Sequence, residues 1–165
     1  MSTSPTVSQG IRAKQTAVAI PQYGGSILIN GHQAKVLVTD FAYGSKMLLY
    51  STAEVLTYAV IDKKEILVLW LPAGESGEFA IHGATSGKVT SLDGSTNETS
   101  SSVNFHFGLH NVTVSYTQNP GMTVVDLDDG TRVVLLDRTA AYKFWVPTLS
   151  NDPIVPANDT GRSDY

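Results

Sequence analysis

Three aspartates near residue 128 have the residue type of a cation site. Asp126, Asp128 and Asp129 are followed directly by Gly130. Calcium-binding EF-hand loops place acidic residues at alternate positions and add a bidentate glutamate further along, which this segment lacks. Asp-Gly is instead a preferred sequence for a two-residue β-hairpin turn, because both residues tolerate positive φ angles. The pattern therefore favours a hairpin turn over a calcium site.

Two histidines, His106 and His110, have the four-residue spacing of a metal-binding pair on a helix. Residues 103–107 read as a strand that Gly108 ends, so this spacing does not put both imidazoles on one face. The chain has no cysteine, which excludes disulfides and thiolate metal ligands. We predict no metal site and no cofactor.

Hydrolysis of a glycosidic bond needs two carboxyl groups, about 5 Å apart in retaining enzymes and further apart in inverting ones. The glutamates available are Glu54, Glu65, Glu75, Glu78 and Glu98. We interpret Glu54 as a polar strand position rather than a catalytic group. No nucleophile elbow, phosphate-binding loop or dinucleotide fingerprint occurs. The sequence therefore names no catalytic residue.

Exposed aromatic rings could act as stacking platforms for sugars, since they have a large apolar face. Tyr23 and Tyr43 flank glycines in predicted loops, which favours their exposure. Trp70 lies in the most apolar segment and Trp145 on the packing face of a predicted helix, so we expect both to be buried. Tyr23 and Tyr43 are therefore the candidate carbohydrate contacts.

Modification and targeting signals are few. Asn97, Asn111 and Asn158 each begin an Asn-x-Thr sequon and are candidate N-glycosylation sites. The first residues lack the basic and apolar regions of a signal peptide. The longest apolar run, residues 66–71, is far too short to span a bilayer. We expect no signal peptide in this chain and no membrane partner.

Charge and composition indicate a globular domain that does not bind nucleic acid. The 165 residues are 42% hydrophobic and 16% charged, with a net charge of −4. Phosphate binding needs clustered basic residues, whereas the only adjacent basic pair here is Lys63 and Lys64.

Short segments rich in β-branched residues dominate the chain and predict an antiparallel all-β fold. These segments are residues 27–29, 35–39, 66–71, 112–116, 123–127 and 132–136. Asn30-Gly31 predicts a hairpin joining residues 26–29 to 34–39, and Asp129-Gly130 predicts one joining 122–127 to 131–136. Val112, Val114 and Tyr116 alternate with polar residues, which predicts a half-buried strand. Residues 67–71 do not alternate, which predicts a central strand covered on both faces.

One short helix is predicted near the C-terminal end. Asp137 can cap its N-terminus, and Pro147 stops it. Ala141, Phe144 and Trp145 would share one face and pack it against a sheet.

Changes in composition, turn residues and prolines along the chain predict four regions. Residues 1–15 form a loose N-terminal segment and residues 16–77 a β-hairpin region. Residues 78–146 form a sandwich-like subdomain that ends in the helix at 137–145, and residues 147–165 form an extended tail or linker.

Four segments resemble the second domain of fungal-type β-galactosidases of glycoside hydrolase family 35. They begin with Ile20-Pro-Gln-Tyr-Gly-Gly, Lys35-Val-Leu-Val-Thr-Asp-Phe and Leu48-Leu-Tyr-Ser-Thr-Ala-Glu, and the last is Asp137-Arg-Thr-Ala-Ala-Tyr-Lys-Phe-Trp. The four segments are in the family's order and together frame residues 16 to about 150.

The resemblance implies β-hairpins followed by an immunoglobulin-like subdomain and a short helix. It also implies a secreted parent protein whose catalytic glutamates lie in a separate (β/α)₈ barrel. Such a barrel needs about 200 residues or more, which exceeds this chain. The segment before Ile20 departs from the family pattern, and the resemblance implies that a third domain would follow beyond Pro156.

The resemblance predicts a non-catalytic accessory domain whose partners are the catalytic barrel and neighbouring β domains of a β-galactosidase. Two alternatives stay open. One is a stand-alone carbohydrate-binding module, and the other is a β-sheet scaffold that associates with proteins through free sheet edges.

Overall fold

The computed structural model describes residues 19–29, 34–90 and 103–144. Ten strands and one short helix make up its regular structure, so the predicted all-β class is confirmed. In chain order they are β1 (Val38–Tyr43), β2 (Lys46–Ser51), β3 (Glu54–Ile61), β4 (Lys64–Trp70), β5 (Ser76–His82), β6 (Gly87–Thr90), β7 (Val103–Phe107), β8 (Asn111–Thr117), β9 (Met122–Leu127), β10 (Thr131–Leu136) and α1 (Arg138–Lys143).

The strands form two five-stranded sheets. The first sheet has the order β1-β2-β5-β8-β7 and the second the order β3-β4-β10-β9-β6. Neighbours pair antiparallel except β4 and β10, which pair in parallel. The early hairpins therefore enter different sheets, and the predicted boundary at residues 77 and 78 falls inside β5. The immunoglobulin-like character of the later strands stays a prediction.

The main core lies between the two sheets. Val112, Val114 and Tyr116 on β8 all belong to it, which confirms the predicted inward face of this strand. Thr117 on the other face is exposed, but Thr113 is buried as well. The outer face of the first sheet is therefore covered at that point.

Strand β4 is covered on both faces, as its uninterrupted apolar sequence predicts. Leu67 and Leu69 point into the main core. Val68 belongs to a second cluster on the outer face of the second sheet, where Trp70 is partly buried. The central position of β4 between β3 and β10 explains why no polar residue alternates along it.

The helix α1 packs on that second cluster. The Asp137 carboxylate caps it by accepting a hydrogen bond from the Ala140 N–H at 2.6 Å. Ala140, Ala141 and Phe144 contact the outer face of the second sheet. This confirms the predicted cap and the contacts of Ala141 and Phe144. The predicted extent to residue 145 is wrong, because the helix ends at Lys143 and Phe144 has an extended backbone. Trp145 lies outside the described residues. No helix in the described ranges is long and apolar enough to cross a membrane.

The first predicted hairpin is wrong as far as the structure describes it. Residues 26–29 and 34–37 form no strand, and β1 begins only at Val38. The reason is tertiary, because β1 pairs with β2, and residues 26–29 pair with no strand in the part of the chain that the structure describes. Asn30 and Gly31, the predicted turn, lie outside the described residues.

The two strands of the second predicted hairpin are confirmed at their predicted bounds and pair antiparallel. The predicted two-residue turn is wrong, because three residues, 128–130, separate β9 from β10 and only Gly130 among them has a positive φ. Gly130 has a φ of 90°, and its N–H donates to the Leu127 carbonyl at 3.2 Å. Glycine adopts this positive φ without steric cost, which explains the Asp-Gly sequence.

Candidate functional site

A buried carboxylate anchors the loop at residues 20–25 to the outer face of the first sheet. Glu78 on β5 is only 1% exposed. It accepts hydrogen bonds from the Tyr50 hydroxyl at 2.7 Å, the Gln22 N–H at 2.5 Å and the Tyr23 N–H at 2.9 Å. Burial of a carboxylate is tolerated when such donors replace water. Glu78 therefore holds the loop that carries Tyr23.

Tyr23, one of the two candidate carbohydrate contacts, is half exposed. Its ring stacks on His106 of β7, with centroids 3.8 Å apart and planes 5° from parallel. The His106 Nε2 in turn lies 3.1 Å from the Ser115 Oγ of β8. With 50% of its surface accessible, Tyr23 confirms the predicted exposure.

A shallow polar depression adjoins the Tyr23 ring. Its lining includes Gly24, Ser76, Asn104, Ser115 and Thr117. Hydroxyl and amide groups of this kind both donate and accept hydrogen bonds, as sugar hydroxyls do. The arrangement combines an accessible ring with polar groups beside it.

Tyr43, the other candidate, is not accessible. It is 1% exposed, so its predicted exposure is wrong. The residue ends β1 and points into the main core, while Gly44 makes the turn with a φ of 56°. Burial raises the pKa of the Tyr43 hydroxyl far above its ordinary value, and the nearby charges of Asp129 and Glu65 add to this. A ring in this position cannot stack on a ligand in solution.

The first two aspartates of the predicted turn have separate partners. Asp126 forms a two-point ion pair with Arg132, at 2.6 Å and 2.9 Å. This hydrogen-bonded guanidinium lowers the pKa of the Asp126 carboxyl. Asp128 accepts hydrogen bonds from the N–H and the hydroxyl of Thr85, at 2.9 Å and 2.6 Å. These carboxylates therefore do not converge on a common point.

The third aspartate holds two turns together. Asp129 accepts the Thr131 N–H at 3.0 Å and pairs with the Lys46 ammonium at 3.0 Å. Among the described residues, no group of three or more histidines and acids could hold a metal ion. The hairpin interpretation of this segment is therefore the one that its contacts support.

Glu65 and Asp129 both act electrostatically on the buried Tyr43, so we compare this pair of acids with a glycosidase site. Glu65 is 8% exposed, and its Oε1 accepts the Ser45 N–H at 2.7 Å. A Cβ atom at Gly44 would lie 2.7 Å from the same oxygen. Both carboxylates are enclosed by the turns that they stabilise, whereas glycosidase acids face a sugar-sized cleft.

The remaining candidates are scattered. Glu54 begins β3 opposite Trp70 and is half buried. Asn111 begins β8 and is also half buried, and a Cβ atom at Gly108 would clash with its Oδ1. The other two sequons, at Asn97 and Asn158, lie outside the described residues. Glycosylation at all three stays a prediction.

The sequence did not indicate a second surface, which we call the Trp70 face. It consists of two adjoining depressions on the outer side of the second sheet that share Trp70 and Arg138. The first also contains Leu28, Ile29, Lys35, Glu54 and Glu75, and the second contains Leu56, Ala141 and Tyr142. Trp70, predicted to be buried, is only partly buried.

Comparison with known proteins shows which family this two-sheet fold represents. Residues 3–144 match the family model described as β-galactosidase, domain 2. The chain is 54% identical over 157 residues to probable β-galactosidase B of Aspergillus niger, a match that covers 95% of this chain and 15% of the relative.

Two further relatives have the same description. Probable β-galactosidase B of Emericella nidulans is 52% identical over 150 residues, covering 91% of this chain and 14% of the relative. That of Aspergillus terreus is 55% identical over 144 residues, covering 87% and 14%. The chain thus spans about one seventh of the length of these relatives, and it belongs to the β-galactosidase domain 2 family.

Proposed function

We propose that this chain is a non-catalytic structural domain of a secreted β-galactosidase, which would hydrolyse terminal β-galactosides elsewhere in the same polypeptide. One observation carries the proposal. The match to the Aspergillus niger relative covers 95% of this chain but only 15% of that protein. The partners would be the catalytic barrel and neighbouring β domains.

The use of the acidic residues supports a structural role. Glu78 anchors a loop, Asp126 pairs with Arg132, and Glu65 holds the turn after β1. Each of these carboxylates is engaged in stabilising the sandwich. A hydrolase would instead present a pair of acids to its substrate.

Replacement of the matching segment in a relative tests the proposal. We would delete the 157 matched residues from the Aspergillus niger protein, or replace them with the aligned residues of this chain. Each protein would be assayed for yield of folded material and for half-life of galactosidase activity at elevated temperature.

We expect the deletion to abolish folding or shorten the half-life at least ten-fold. The chimera should retain a half-life within about three-fold of the original, because the exchanged segments are 54% identical. If the deletion variant kept the same half-life of galactosidase activity as the intact protein, a structural role would be refuted.

The Tyr23 depression favours one second candidate, a carbohydrate-binding module. Tyr23 has an accessible ring, and hydroxyl and amide groups of Asn104, Ser115 and Thr117 border it. In titrations with galactose, lactose and arabinogalactan followed by NMR, this module would give saturable shifts near His106. Tyr23→Ala would remove these shifts, whereas Tyr142→Ala, which truncates an exposed tyrosine on the helix that packs against the other sheet, would retain them. The structural role predicts no saturable shift in either.

A further inference from the structure

We propose that the Trp70 face is the surface by which this domain docks on another part of its own polypeptide. This inference rests on the proposed structural function and adds the place of contact. The occupant would be an apolar side-chain cluster with an acidic group at its edge.

The shape of the face fits such a contact. Trp70 contributes to both depressions, and Arg138 borders both of them. The depressions together extend from Leu28 and Ile29 at one end to Tyr142 at the other. An inserted group would therefore meet Trp70 between two sets of apolar side chains.

Three apolar residues of the face are exposed and belong to neither hydrophobic cluster. Tyr142 on α1 is 90% exposed, Ile29 is 61% exposed and Leu56 on β3 is 39% exposed. Contiguous exposed apolar side chains mark interaction surfaces more often than isolated ones do. Tryptophan, tyrosine and arginine are also the residues most enriched at the energetic centres of interfaces.

The opposite side of the sandwich differs in character. There the loop at residues 20–25 covers the first sheet, and its anchor Glu78 and neighbour Thr113 are both buried. The depression on that side is lined mainly by glycines and hydroxyl or amide groups. The outer side of the second sheet is therefore the better candidate for an apolar contact.

The charges of the Trp70 face indicate the charge that we expect at the edge of the partner. Lys35 is already paired with Glu75 at 3.5 Å. Arg138 forms no ion pair with any residue in the described ranges. Arg138 is a cation at the edge of both depressions, so a carboxylate on the partner would form a favourable ion pair with it.

The same polypeptide is the occupant that the comparisons favour. In the Aspergillus niger relative the matched segment is 15% of the length, so most of that protein lies outside it. In this chain, Phe144 is the last described residue and packs against the second cluster, and Ala141 belongs both to that cluster and to the Trp70 face. A contact within one polypeptide forms at high effective concentration, which favours a region of the same chain over a separate partner.

The test compares two truncations in two settings. Tyr142→Ala removes an exposed ring from the face, and Leu109→Ala removes a side chain that is 85% exposed in the turn between β7 and β8. Each would be made in this chain alone and in the Aspergillus niger chimera. The readouts are the thermal midpoint of the chain and the half-life of galactosidase activity of the chimera.

We expect Tyr142→Ala to leave the thermal midpoint of the chain alone within about 2 °C, because the ring makes few contacts there. In the chimera it should shorten the half-life about ten-fold or more, as loss of an interface anchor does. Leu109→Ala should change neither. Arg138→Gln should shorten the half-life of the chimera less than Tyr142→Ala, since a rim charge contributes less.

Two results would overturn the inference. In one, the chimera outlasts the deleted protein but tolerates Tyr142→Ala, so that the structural role stands and the docking surface lies elsewhere. In the other, light scattering shows that the isolated chain dimerises and Tyr142→Ala makes it monomeric, which identifies a second copy as the occupant. Failure of the proposed function would be seen in a different result, namely an unchanged half-life of the deletion variant.

Discussion

Glu78 and Glu54 both lie on strands, yet their surroundings give them different importance. Glu78 accepts hydrogen bonds from three groups and is buried, whereas Glu54 is half buried at the start of β3. Nothing in the local sequence marks this difference. The two N–H groups that donate hydrogen bonds to Glu78 belong to residues 55 and 56 positions earlier in the chain. Only the folded sheet brings the loop and the strand together.

Replacement of Glu78 should therefore weaken the domain. In Glu78→Gln, one accepting oxygen becomes an NH₂ group that faces other donors, so we expect a loss of about 1–3 kcal/mol in the free energy of unfolding. Urea denaturation measures this loss, and Glu54→Gln serves as the control with a change of at most about 0.5 kcal/mol. Equal effects of the two changes would contradict the anchor role of Glu78.

Asp126 makes the stability depend on pH. The hydrogen-bonded Arg132 guanidinium lowers the pKa of this carboxyl from 3.8 in the folded chain. A lowered folded-state pKa contributes stability above pH 3.8 that is lost as the pH falls below it toward the folded-state value. We expect the unfolding free energies of the wild type and of Asp126→Asn to converge as the pH falls from about 6 to about 2.5. A constant difference over that range would contradict this assignment.

Among the strands and the helix, local sequence signals correctly predicted those features that depend on contacts between residues close in sequence. The β9–β10 hairpin follows from Asp129-Gly130, and α1 follows from the cap at Asp137. The parallel pairing of β4 with β10 joins strands more than sixty residues apart, as in Leu67 with Val133, and no turn signal encodes it. The same limitation explains Tyr43. A glycine after it indicated a turn correctly but gave no information about which sheet lies over the ring.

Strand β4 should be the most sensitive element of the sandwich. Leu67 is fully buried between the sheets, so Leu67→Ala should cost about 2–5 kcal/mol of unfolding free energy in chemical denaturation. Leu56→Ala makes the same truncation on the neighbouring strand β3, where the side chain is exposed, and should cost less than about 1 kcal/mol. If both changes cost the same, Leu56 would belong to the core rather than to a docking surface.

At the scale of the molecule, the sandwich has a complete core and two unlike outer faces. One is covered by the anchored loop, and the other exposes aromatic and aliphatic side chains around Trp70. Sequence reasoning predicted the fold class and the family correctly, because strand patterns and long motifs run through most of the chain. It could not predict the Trp70 face, because that surface joins residues from the segment before β1, the loop between β4 and β5, two strands and a helix.

Free sheet edges provide the remaining alternative at this scale. Strands β1, β7, β3 and β6 each end a sheet, and β3 has eight residues with Tyr58 and Val60 exposed. An exposed apolar edge favours association between sheets. If the chain is a scaffold, light scattering should show self-association with rising concentration, and Val60→Lys should suppress it. If the chain is a docking domain, Val60→Lys should leave the scattering unchanged.

If the proposed function holds, this chain supports a galactosidase without itself breaking the glycosidic bond. The decisive test is the rate at which the pure chain hydrolyses a chromogenic β-galactoside, with Glu65→Gln as a parallel sample. We expect a rate equal to that of buffer for both proteins. Saturable hydrolysis by the wild type that Glu65→Gln abolishes would contradict it, since it would show that a carboxylate of the sandwich is catalytic.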